Sequence, residues 1–320
     1  MPLKLIFSMF LTIFLLFGFL FAILAAVSYY FGLSGYIPVI GAIILVIIQW
    51  YISPYIIKWT TNMRELKRSE AEWIYDIVEN LCKKTKTPIP KIYIANIGAP
   101  NAFVFGRTPK SANLVITRGL LNTLTKEEVE AVIAHEIGHI NHKDMVVMTI
   151  VSAIPIIFYF IARFLIFTPS RERNERKTGA AILIGFISFL IYFISNLLVL
   201  YLSRLREYYA DRFSGKNTKP SLLARALAKI TYGLSISTDR VENSAVRSFY
   251  IADPVSATKE LAALSKAYED FEISDKELKE AMEWEKKNPL IRFSEIFSTH
   301  PLTYKRIEAL KKLEKEISEH

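Results

Sequence analysis

The sequence predicts a mainly α membrane protein: about four transmembrane helices joined to a polar α+β part that holds a small β-sheet. Three observations predict it. Hydrophobic residues make up 52% of the 320. No Asp, Glu, Lys, Arg or His occurs from Leu5 to Ile57, and two further uncharged runs cover Met145 to Ala162 and Thr178 to Ser203. Runs of this length read as membrane spans. Between and after them, polar stretches carry the alternating patterns of folded structure.

The first uncharged run is broken by Gly32, Gly35 and Pro38, which predicts one helix over about residues 5–30 and a second from about Pro38 to Ile57. It is too long for the apolar core of a signal peptide and shows no small-residue cleavage site, so the hairpin is expected to stay as an anchor. Lys4 precedes it, Lys58, Arg64, Lys67 and Arg68 follow it, and the turn carries no charge. Positive-inside then sets both ends in the cytosol, giving a multi-pass protein of the cell membrane whose polar part faces the cytoplasm.

From Lys58 to Asp144 the pattern changes to a helix over about residues 68–85, followed by short apolar runs, Lys91 to Ala95 and Asn113 to Thr117, read as strands. Asn101, Ala102 and Phe103 open an alternating stretch that ends at Gly106. It reads as an edge strand able to pair with an extended peptide, or as an ordinary sheet strand with Asn101 in a turn after Pro100. Thr125 and Glu128 form a capping box for a helix reaching about His142. Beyond it, the run to Ala162 gives only about 27 Å of helix against a core near 30 Å, so the second hairpin is expected to bend at Pro155 or to cross incompletely. Arg171, Arg173, Arg176 and Lys177 in its loop also run against positive-inside. The division expected is 1–58, a membrane hairpin; 59–144, polar; 145–203, a second hairpin; and 204–320, polar and mostly helical.

The formal charge of +9 is spread over helices with interleaved Glu, without a basic arm beside aromatic platforms, which excludes nucleic acid as a partner. It suits the headgroups of a lipid bilayer. The single Cys82 excludes a disulfide framework and a Cys-rich metal cluster. Any metal must be held by His and carboxylates.

His135-Glu136-Ile137-Gly138-His139 supplies them, inside the helix opened by Thr125. Residues four apart share a helical face, so His135 and His139 can offer two imidazoles to one Zn2+ ion. Glu136 can then act on a metal-bound water as general base. The pattern predicts that the polar part is a zincin-like α+β metalloprotease domain with an HExxH active-site helix, in preference to a purely structural zinc site, which usually closes with four protein ligands. A third ligand has to come from elsewhere, because His142 and Met145 stand where a longer motif needs glycine and histidine. After the last apolar run, Glu207 and Asp211 lie four apart. Glu207 can complete the site, with Asp211 steadying a ligand imidazole, or Glu207 can simply pair with Arg204 or Arg206 on a solvated helix. His300, in Ser298-Thr299-His300-Pro301, can stabilise an oxyanion or be a solvated histidine before a helix expected to begin at Pro301. His142 reads as a polar neighbour of the site, and Tyr208 and Tyr209 as packing residues.

Four pieces in order carry a resemblance: Asn101-Ala102-Phe103 with Gly106, Ala134 through His139, Ser203-Arg204-Leu205-Arg206-Glu207 with Ala210-Asp211, and Thr299-His300-Pro301 with Arg306-Ile307. The chain resembles the HtpX-type integral-membrane zinc metalloproteases, in the peptidase group that includes the CaaX prenyl endopeptidases. It departs at Leu302, where many relatives carry a second proline. The resemblance implies one zinc per chain on His135, His139 and Glu207, Glu136 as general base and acid, and polypeptide substrates that are misfolded or membrane proteins, cut from the cytosolic side in protein quality control. Two other readings remain: a prenyl-CaaX-type peptidase, and a zinc-stabilised scaffold or chaperone that binds clients without cutting them.

Overall fold

The computed structural model describes residues 3–32, 36–167, 175–236 and 282–319. The charged loop at 171–174 and most of the expected helical stretch between 237 and 281 lie outside the described residues. Two compact units are present: Met1–Ser53 with Val146–Leu205, and Pro54–Met145 with Arg206–His320.

The first unit is built from α1 (Leu3–Phe31), most of α2 (Tyr36–Thr60), α6 (Asp144–Phe167) and the first part of α7 (Glu175–Asn217). All four helices are long and apolar enough to cross a membrane. Leu16, Ile23, Val151, Ile154, Phe158 and Leu202 pack into its interior. Phe7, Phe10, Phe14 and Phe21 project outward at 67–74% exposure, which suits a hydrocarbon surround and is unfavourable in water. Thr12 and Ser28 donate to the carbonyls of Ser8 and Leu24, each at 2.8 Å, so neither hydroxyl needs water.

Two expectations for the membrane segments change. α6 begins at Asp144, continues through Pro155 and past Arg163 to Phe167, so its 24 residues give about 36 Å, enough to cross. The expected shortfall came from ending the span at the first charge, whereas helix hydrogen bonding continues beyond it. α7 is 43 residues, about 65 Å, roughly twice a bilayer core. Residues 206–217 of that helix belong to the second unit.

The second unit contains a four-stranded sheet in the order β1-β2-β4-β3, from β1 (Met63–Glu65), β2 (Lys91–Ala95), β3 (Ala102–Phe105) and β4 (Asn113–Thr117). β2 and β4 run parallel with Tyr93 opposite Val115, and β3 pairs antiparallel with β4, with Phe103 opposite the same residue. β3 is therefore an edge. β1, too short to show a period, was missed by sequence pattern. Asn101 enters β3 pinned to Thr117, whose side-chain oxygen accepts from its backbone N–H at 2.8 Å. At the far end, a Cβ on Gly106 would meet the Ser111 carbonyl at 2.6 Å. Only glycine fits there.

On one sheet face, Ile92, Ile94, Leu114 and Ile116 bury against α3 (Glu72–Thr85), the short α4 (Arg118–Thr123) and α5 (Lys126–Asn141). α5 opens as expected: Glu128 N–H donates to Thr125 Oγ1 at 3.3 Å, and Thr125 N–H to Glu128 Oε2 at 3.0 Å. The other side of α5 meets α8 (Pro220–Ile236), through Leu223, Leu227 and Ile230, and the end of α7, where Ser214 Oγ donates to the Ala131 carbonyl at 2.6 Å. Gly138 marks the closest approach, since a Cβ there would stand 3.2 Å from the Phe213 side chain. Chain and packing thus bring Glu207 and Asp211 of α7 against His135 and His139 of α5. After the short α9 (Pro289–Ser294), α10 begins at Thr303 rather than Pro301 and runs to Ser318. The Glu285 carboxylate accepts from the backbone N–H groups of Thr303 and Tyr304 at 3.1 and 3.0 Å, serving as a cap supplied from a distance.

Candidate metal centre

His135 and His139 sit one turn apart on α5 with their rings edge to face, centroids 4.8 Å apart. Their Nε2 atoms approach to 3.2 Å. Glu207 comes within 3.6 Å of His135 Nε2 through Oε2 and within 3.4 Å of His139 Nε2 through Oε1. The three offer donor atoms that all lie within 4.8 Å of one another. Four-coordinate zinc with bonds of about 2.0–2.1 Å needs donors about 3.3 Å apart, so the spacing fits a metal with three protein ligands and one open position.

Charge fits as well. Glu136, Asp144, Glu207 and Asp211 are each at most 5% exposed, and the two guanidiniums beside them, Arg206 and Arg306, are buried as well. With the imidazoles neutral, as metal ligands must be, two negative charges are left over. Buried charge is costly without a partner, and a divalent cation supplies the balance.

Each histidine has its own carboxylate behind it. His135 Nδ1 lies 3.0 Å from Asp211 Oδ1, and His139 Nδ1 hydrogen-bonds Asp144 Oδ2 at 2.6 Å. Each carboxylate has its own arginine. Arg306 donates Nε and an NH2 to the two oxygens of Asp211 at 2.8 and 2.6 Å and places its other nitrogen 3.1 Å from Glu207 Oε2. Arg206 pairs with Asp144. That takes up one of the two arginines, Arg204 and Arg206, that the sequence offered to Glu207.

Burial by itself would keep both imidazoles neutral, yet the Asp211 and Glu207 carboxylates outweigh it at His135, and Glu207 does so at His139; both pKa values are raised. Burial likewise pushes the Glu136 carboxyl up, against the pull of the two histidines. His142 stands apart from the ligand group. Its ring packs edge-on against Tyr209 and Phe213 at 5.8 and 5.7 Å, and burial pushes its pKa down to about 4. It is a packing histidine with no part in the ligand set.

His300 is 7% exposed rather than solvated. Its backbone N–H donates to Ser298 Oγ at 3.2 Å and its Nδ1 lies 3.2 Å from Glu207 Oε2, but neither ring nitrogen makes a hydrogen bond among the described residues. Ala102 and Phe103, also buried, start the edge strand β3, and the buried Asn101 immediately precedes it. The roles of Asp144, Arg206 and Arg306 escaped sequence reasoning. Asp144 lies across a turn from His139, and Arg306 is six residues beyond His300, spacings that match no helical period.

Residues 68–314 match the profile described as Peptidase family M48. A protein named Protease HtpX homolog from Methanothermobacter thermautotrophicus is 42% identical over 236 residues, 72% of this chain and 88% of its own length. One of the same name from Aeropyrum pernix is 35% identical over 298 residues, covering 90% of each. Among solved structures, the crystal structure of S. mikatae Ste24p aligns with a TM-score of 0.52 at 21% identity, over 97% of this chain and 66% of that one. That likeness is one of fold.

Proposed function

This chain belongs to peptidase family M48 and is a membrane metallopeptidase; on that footing we propose that it is a zinc endopeptidase that cuts misfolded or damaged membrane proteins from the cytosolic side. The convergence of His135, His139 and Glu207 carries the reading. When bound, the metal supplies a Lewis acid that acidifies water and polarises the scissile carbonyl. The remaining steps fall to side chains of this chain.

We assign Glu136 to take the proton from the attacking water and return it to the leaving amine. Its burial favours this: a carboxyl raised from its ordinary range can both accept and give back a proton near neutral pH. His300, whose Nδ1 stands 3.2 Å from Glu207 Oε2, offers Nε2 to the oxyanion. The edge strand that Asn101 leads into and Ala102 and Phe103 begin takes the substrate backbone by strand addition, which reads few side chains and so suits unfolded clients of varied sequence. Asp211 and Arg306 hold His135 and Glu207 in place, because a carboxylate behind a ligand imidazole fixes its tautomer. The cytosolic assignment rests on Lys4 and on the cluster from Lys58 to Arg68 flanking an uncharged turn.

The test is degradation of an unfolded model protein by the detergent-purified chain, with the parent compared with Glu136→Ala, each with and without a zinc chelator. Fragments from the metal-loaded parent alone are expected. Equal cleavage by Glu136→Ala would remove Glu136 from the mechanism, and inertness of a zinc-loaded parent would favour the scaffold.

A further inference from the structure

Building on the zinc reading of the site, we infer that Asp144 and Arg206 form a positioning couple that aims His139 at the metal and fixes α7 beside it. Asp144 is buried at the first turn of α6, and the α5–α6 turn delivers it. α5 stops because Lys143 adopts a left-handed conformation, φ 60°, while His142 N–H donates to Gly138 O at 3.0 Å and Lys143 N–H to Ile140 O at 3.1 Å. This helix-ending pattern turns the chain and brings the Asp144 carboxylate to the imidazole five residues earlier.

One oxygen of Asp144 accepts from His139 Nδ1 at 2.6 Å. That fixes the tautomer so that Nε2, the atom facing His135 and Glu207, carries the free lone pair when a metal is bound. Asp144 also pairs with Arg206, which is itself buried and donates to the His142 carbonyl at 2.9 Å. Arg206 immediately precedes Glu207. The same guanidinium that anchors the carboxylate behind one ligand therefore sets the position of another along α7. The arrangement repeats on the opposite side of the site, where Asp211 stands behind His135 and Arg306 behind Asp211. An ordinary helix start needs an acceptor near its first N–H groups; it needs neither an imidazole partner nor a buried guanidinium from another helix.

The experiment measures zinc dissociation constants of the full-length detergent-purified chain by chelator competition, with the absorption spectrum of the cobalt-loaded form as a second readout. Asp144→Ala is expected to weaken zinc binding by about 10–100-fold. Asp144→Asn, which keeps a neutral acceptor of the same shape, should lose less, about five- to tenfold, and both should shift the cobalt spectrum. Thr125→Ala calibrates a purely structural loss, since it loosens the start of α5 and should leave zinc affinity unchanged. Should Asp144→Ala not fold, the Asn variant decides. A zinc constant within threefold of the parent, together with a parental cobalt spectrum, in whichever variant folds overturns the inference. A parent chain that binds no zinc refutes the metal reading instead.

Discussion

Zinc uptake should release protons and so tighten as pH rises, and the carboxylates around the two ligand imidazoles say why. Against the opposing effect of burial, Asp211 and Glu207 raise the pKa of His135, and Glu207 raises that of His139. At neutral pH the two rings therefore hold more proton than free imidazoles would. A metal bound through both Nε2 atoms needs them neutral, so that proton has to leave. One proton corresponds to about a tenfold change in apparent affinity per pH unit, about 1.4 kcal/mol. Calorimetric zinc titrations between pH 6 and 8, in buffers of different ionisation enthalpy, count the protons directly. The sign for the metal-free protein is opposite. Imidazole pKa values raised by folding stabilise it below the unfolded value near 6.5, and this is lost as pH rises through the folded values. The thermal stabilisation conferred by zinc should thus grow from pH 6 to 8. Proton release indistinguishable from zero across that range would refute the raised imidazole pKa values.

Glu136→Gln should lower turnover by about 10²–10⁴-fold, the usual contribution of a general base, while zinc affinity stays within a few-fold of the parent; single-turnover cleavage beside chelator competition separates the two. Arg306→Met strands Asp211 and Glu207 without their guanidinium and should cost about 3–5 kcal/mol, read by pulse proteolysis across a urea series in detergent. A loss under 1 kcal/mol would mean that the carboxylates find other compensation. Thr125→Ala should cost about 1 kcal/mol through the lost cap of α5 in the same assay. Lys143→Gly should be neutral or stabilising by up to about 1 kcal/mol, because glycine adopts φ 60° without strain, whereas Lys143→Val should destabilise.

Local rules made much of this protein legible. Lys91–Ala95 and Asn113–Thr117 are strands with the bounds their apolar runs predict, and the Thr125 capping box opens the helix that carries His135 and His139. Both depend on neighbours within a few residues, where side-chain period and capping chemistry act. The four long apolar helices are legible for the same reason, since length and hydropathy suffice. Where the second hairpin misled, charge at Arg163 was read as an end, although a helix ends only when its backbone hydrogen bonds do.

The site divides along the same line. The i, i+4 histidines and the carboxylate between them are written in five consecutive residues, so sequence alone fixed what kind of chemistry to expect. Which carboxylate stands behind which histidine was decided only by tertiary packing. Asp211 was foreseen as a support, but Asp144 was not, and Arg206 lay open as a partner for Glu207 until α7 was seen against α5. Asp144 lies five residues from His139, but the arginines that hold the two carboxylates, Arg206 and Arg306, stand 62 and 95 positions from them. These pairings form because burial removes water as the competing partner, leaving each charged group to find its match among whatever the helices bring within reach.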